Sequence, residues 1–102
     1  MSGYADDTAR SRRLATLRVL HENEGAANES LLLTCLHQLG FRGRHASVEA
    51  VAADHAALEA AGLIAVDYYQ GRVKTLVLSK RGLAYLARRL DPIPGIEYPD
   101  VA

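Results

Sequence analysis

Arg42, Arg44 and His45 stand within four residues of one another, and Arg72 and Lys74 form a second group further along the chain. Cations grouped in this way are the side chains that grip phosphate oxygens, by direct hydrogen bonds and by release of the polyanion's counterions. The stretch between them is of opposite sign: residues 48–62 carry Glu49, Asp54 and Glu59 and no base. No Ser, His and Asp combination and no glycine-rich phosphate loop can be assembled, so catalytic residues are not expected and the chain is read as a non-enzyme. His21, His37, His45 and His55 are scattered. Only His55 and Glu59 have a helical spacing suited to ligation, whereas a metal site needs three or four converging ligands. No metal and no cofactor are expected. His55 reads as a core-edge histidine with a local hydrogen bond, and Cys35 as a small hydrophobe on an apolar helix stripe.

These side chains must be positioned by a small domain. The chain has 102 residues, 49% hydrophobic and 24% charged, with 12 basic and 12 acidic side chains. Such a composition excludes disorder for most of the length, and the size suits one domain with a core of its own. The zero net charge names no partner. A single cysteine excludes an intrachain disulfide. No apolar run approaches the roughly 18 residues of a membrane span, and the charged N-terminus does not read as a signal peptide. A cytoplasmic protein without membrane attachment is expected.

Spacing of apolar residues predicts the elements. A first helix over about 7–23 carries Leu14, Leu17, Leu20 and His21 on one stripe, with Arg10, Arg12, Arg13 and Arg18 mostly off it and Asp6 or Asp7 as cap. Asn28 caps a second helix, whose Leu31, Leu32, Cys35, Leu36 and Leu39 share a face that stops at Gly40. Ser47 caps a third, with Val48, Val51, His55 and Leu58 on one side and Gly62 at its end. Residues 64–69 and 73–78 then read as strands joined at Gln70-Gly71 into a hairpin. Tyr68 and Tyr69 face opposite ways in such a strand, so at least one of them is expected to pack on the sheet. Ser79 caps a last helix with Leu83, Leu86 and Leu90 inward, closed by Asp91-Pro92. The expected organisation is a domain over 1–90 and an extended, proline-containing arm over 91–102.

Three helices, a two-stranded hairpin and a further helix make a mostly α fold with a small β-hairpin, the order of a winged helix-turn-helix. Local patterns agree. Asp54-His55-x-x-Leu58-Glu59-x-x-Gly62-Leu63-Ile64 resembles the end of a recognition helix running into the first wing strand. Leu78-Ser79-x-x-Gly82 resembles the step from the second wing strand into the next helix. A closer resemblance covers nearly the whole chain: Arg12-Arg13-Leu14 continuing to Leu20, the Asn28-Glu29-Ser30-Leu31-Leu32 opening and the Pro94-Gly95 step are similar to small winged-helix proteins of Mu-like tailed phages and prophages. The chain departs from that family at His55, where leucine is usual.

The resemblance implies double-stranded DNA as partner, transcription regulation as role and a homodimer as the assembly. Ser47, Val48, Glu49, Ala50, Ala52 and Ala53 would face the major groove. None is Arg, Lys, Asn or Gln, the types that read purine edges bidentately. Glu49 can accept from a cytosine amino group, while Arg42, Arg44, His45, Arg72 and Lys74 would hold the backbone on either side. The expected DNA-binding set is therefore Arg42, Arg44, His45, Ser47, Glu49, Arg72 and Lys74. The acidic third helix supports a competing expectation, a winged-helix interaction module of phage origin that binds a phage or host protein instead of DNA. Where the arm docks, on its own domain or on a partner's first or last helix, is the remaining architectural question; its apolar residues Ile93, Ile96, Tyr98 and Val101 favour the partner.

Overall fold

Residues 4–100 are described by the computed structural model. Helix α1 spans Tyr4–Glu22, strand β1 Ala26–Asn28, helix α2 Glu29–Gln38 and helix α3 Val48–Ala60. Strands β2 (Ile64–Tyr69) and β3 (Val73–Leu78) lead into helix α4, Lys80–Leu86. A short 3₁₀ turn, Gly43–Ala46, enters α3. The result is an α+β domain of four helices and a three-stranded antiparallel sheet in the order β1-β3-β2. No helix among the described residues is long and apolar enough to cross a membrane.

Side-chain caps fix where the later helices begin. Asn28 Oδ1 accepts from the Leu31 amide at 2.8 Å, Ser47 Oγ from Ala50 at 3.1 Å and Ser79 Oγ from Gly82 at 2.9 Å. Each satisfies a first-turn amide that has no partner within the helix. The hairpin pairs Ile64 with Leu78 through Tyr69 with Val73. Its turn places Gln70 and Gly71 at φ 52° and 70°, the left-handed geometry that matches the twist of the flanking strands. Leu76 is the hub of the sheet: it pairs with Val66 on one side and Ala27 on the other, and it is fully buried. Leu17, Leu20, Leu32, Leu36 and Leu58 close over it from the helices, and Leu63 from the connection into β2.

Four expectations need correction. The sheet has a third strand, β1, too short to show a period; Asn28 is both its last residue and the α2 cap. Helix α1 starts at Tyr4, so Asp6 and Asp7 lie in its first turn, where they suit the positive end of the helix dipole. Val48 is 87% exposed, one turn too early to reach the core side of α3. Helix α4 ends at Leu86, well before Asp91, and Leu83 on it is 46% exposed. Gly82 sets that rotation: a Cβ there would lie 2.2 Å from the Leu63 carbonyl oxygen, so the helix packs backbone to backbone and Tyr85 turns inward.

The arm lies on its own domain, which corrects the expectation of a partner. Ile96 is 3% exposed and Pro99 is fully buried. The Glu97 amide donates to the Arg10 carbonyl at 3.2 Å, and Ser11 donates to the Glu97 carboxylate at 2.9 Å. Tyr85 and Tyr98 meet edge to face at 5.5 Å, and the Tyr85 hydroxyl donates to the Ile96 carbonyl at 3.1 Å. Burial raises the Tyr85 phenol above its ordinary pKa, so it remains a donor. Arg88 sits in the left-handed region at φ 61°, ending α4, and its guanidinium reaches the Pro99 carbonyl at 2.6 Å while covering the Tyr98 ring. Val101 lies outside the described residues.

Candidate nucleic-acid interface

Helix α3 is divided lengthwise. Val51, Asp54, His55 and Leu58 are buried, while Val48, Glu49, Ala52, Ala53, Ala56 and Glu59 face outward. The outward face is therefore mostly methyl groups with two carboxylates, and the helix begins at the Ser47 cap.

Two charge clusters behind that face fix the helix in place. Asp54 is fully buried. Arg12 grips it with Nε and, at 3.0 Å, Nη2, and Arg13 Nε approaches from the side at 2.9 Å. Arg12 also donates to the His45 carbonyl at 2.8 Å, and Arg13 to the Gly95 carbonyl at 3.1 Å. One carboxylate thereby ties α3 to α1, to the 3₁₀ turn and to the arm. Arg12 is buried, contrary to its expected place off the stripe.

The second cluster joins α3 to the hairpin. Lys74 Nζ lies 3.0 Å from His55 Nδ1 and 3.6 Å from the Glu29 carboxylate. An ammonium group can only donate, so Nδ1 accepts and the imidazole proton sits on Nε2, which is buried and has no partner among the described residues. Burial lowers the His55 pKa below its ordinary value of 6.5, and Lys74 lowers it further. Glu29 and Asp54 oppose them. His55 is accordingly neutral near pH 7, and it is buried with a partner 19 residues away rather than standing at the core edge with a local hydrogen bond.

These contacts sort the expected set. Arg44 and Arg72 are exposed, the first in the turn before α3 and the second in the hairpin turn. Arg42 is exposed too, and its Nε donates to the His37 carbonyl at 3.0 Å near the end of α2. Glu49 projects from the first turn of α3. The Ser47 hydroxyl is engaged as a cap, and His45 is half-buried with its carbonyl held by Arg12. Lys74, expected to hold the DNA backbone with Arg72, is half-buried instead, its ammonium group engaged by His55 and Glu29.

The network of Arg12, Arg13 and Asp54 was not anticipated. Its one signal in the sequence is an aspartate three residues after Val51 and four before Leu58, on the side of α3 that must be apolar. No group of three or more His, Cys, Asp or Glu among the described residues is placed to hold a metal ion. Compared with known proteins, the chain matches no family model, no curated protein and no solved structure.

Proposed function

We propose that the chain is a winged helix-turn-helix protein that binds double-stranded DNA, with α3 entering the major groove and the β2–β3 hairpin as the wing. The observation that carries this reading is the outward face of α3, mostly methyl groups, with Arg42 and Arg44 exposed ahead of it and Arg72 exposed on the hairpin turn. A helix covered in methyl groups can approach base edges closely, and the flanking arginines supply the hold on phosphate that the helix lacks. Sequence preference then rests on thymine methyl contacts, on Glu49 toward a cytosine amino group, and on groove shape. The resemblance to proteins of Mu-like phages supports transcription regulation in a host cell as the role.

A second reading has its own observation. The exposed face of α3 carries Glu49 and Glu59 and no cation, and on β2 Tyr68 and Tyr69 are both exposed, 56% and 65%, which corrects the expectation that at least one of them packs on the sheet. Exposed tyrosines and a helix face free of cations suit a protein partner. Fluorescence anisotropy with random-sequence duplex at about 50 mM salt separates the two, since nonspecific binding is strongest at low salt. DNA binding predicts an affinity whose logarithm falls by roughly 0.9 per phosphate contact with the logarithm of salt, and a much flatter slope when Arg42, Arg44 and Arg72 are changed to alanine. A folded protein that binds no duplex under those conditions assigns the face to a protein.

A further inference from the structure

Leu39 is an exposed leucine held rigidly in place. It is the C-cap of α2, its amide bonded to the Cys35 carbonyl at 3.1 Å. Gly40, at φ 102°, then reverses the chain and Phe41 folds back, its amide on the Leu36 carbonyl at 3.0 Å. The reversal leaves Leu39 59% exposed. Three adjoining hollows of about 310, 300 and 360 Å³ all have Leu39 in their walls. The first is floored by Val19 and Cys35, and the third runs along α1 past Leu14, Ala15 and Val19. An apolar knob therefore stands beside hollows of a size to receive one, their walls part apolar and part polar.

The rim carries both signs of charge. Arg18 and Glu22 lie one turn apart on α1 at the edge of the third hollow. Both are exposed, and neither has an ion pair among the described residues. A knob next to a hole and a cation next to an anion are the elements a self-complementary surface needs. In a two-fold contact, each residue meets in the other copy the residue that meets it in return.

We propose that this α1–α2 face docks a second copy of the chain about a two-fold axis. Leu39 of each copy enters the hollow over Val19 and Cys35, and Arg18 faces Glu22 of the partner subunit. The contact needs no nucleic acid, so its success or failure is independent of the DNA reading.

Sedimentation equilibrium of the full chain across micromolar concentrations tests it. The wild type is expected to dimerise reversibly, and Leu39→Asp, at an exposed position, to be monomeric with an unchanged circular dichroism spectrum. Arg18→Glu and Glu22→Arg should each weaken the dimer by about tenfold through like-charge contacts, and the two changes together should restore it. The swapped pair also guards against a variant that merely fails to fold, because rescue requires a folded chain. A wild type that stays monomeric overturns the proposal, as does a folded Leu39→Asp chain that still dimerises. Failure of the double charge swap to recover the dimer overturns the pairing of Arg18 with Glu22.

Discussion

Lys74 donates to the buried imidazole of His55 while its ammonium group lies 3.6 Å from the Glu29 carboxylate, so one side chain connects β3, α3 and the start of α2. That arrangement holds only while His55 is neutral. Its folded pKa is lowered and its unfolded value is about 6.5. The unfolded chain therefore binds more protons between the two values, and stability falls as pH drops through that window. Above about pH 6.5 the contribution is fully present. Urea midpoints measured between about pH 5 and pH 8 should show this loss on the acid side, and His55→Gln should remove the part due to this group. Identical pH profiles for the two proteins would contradict the assignment.

Removing the carboxylate that joins Arg12 and Arg13 leaves two guanidinium groups behind α3 without their anion. Asp54→Ala is expected to cost about 3–5 kcal/mol, the range for breaking a buried ion pair from one side. Arg13 is about one-fifth exposed at its side chain against Arg12's near-complete burial, so Arg13→Ala should cost distinctly less than Arg12→Ala. Chemical denaturation reads all three. A loss below about 1 kcal/mol for Asp54→Ala, the scale of a surface pair, would show the cluster to be solvated.

Gly82 tests how α4 is seated. With Leu63 O 2.2 Å and Leu78 Cδ1 2.7 Å from an added Cβ, Gly82→Ala forces the helix away from Leu63 and Leu78. The expected cost is about 1–3 kcal/mol, despite alanine's better helix propensity. A thermal melt in which Gly82→Ala is as stable as the wild type would mean that α4 is packed less closely than this.

The arm is part of the fold, so its anchor residue should behave as core. Ile96→Ala is expected to cost about 2–5 kcal/mol, and ending the chain at Asp91 should lower stability without changing the oligomeric state. Urea unfolding and light scattering on the same samples check both. A shortened chain that is equally stable but dissociates would return the arm to the interface between copies.

Much of this architecture is legible in the residues. Asn28, Ser47 and Ser79 announce their helices because a short polar side chain directly before an apolar stripe has first-turn amides to satisfy. The register of Ile64–Tyr69 on Val73–Leu78 follows from two aliphatic runs around Gln70-Gly71. What is not legible depends on residues far apart in sequence. Arg12 and Asp54 are 42 positions apart, and neither signals the other until α1 crosses α3. Lys74 reads as a solvated cation until the fold brings it to His55 and Glu29. Leu83 fits the apolar period of α4 as well as Tyr85 does; only the contact of Gly82 with the Leu63 carbonyl decides which faces in. The site is partly visible for the same reason: arginines in turns, such as Arg42, Arg44 and Arg72, have few local partners to divert them, whereas Lys74 on a strand does.

The central claim, that α3 and the two arginine-bearing turns beside it meet DNA, is tested most directly by titrating the ¹⁵N-labelled chain with a short duplex at low salt and following each amide by NMR. The account predicts that signals of residues 42–49, of Ala52, Ala53 and Ala56, and of the turn 70–73 move together and saturate, while those around Val19 and Cys35 stay in place. A spectrum that does not change, or changes confined to α1 and the arm, would contradict it.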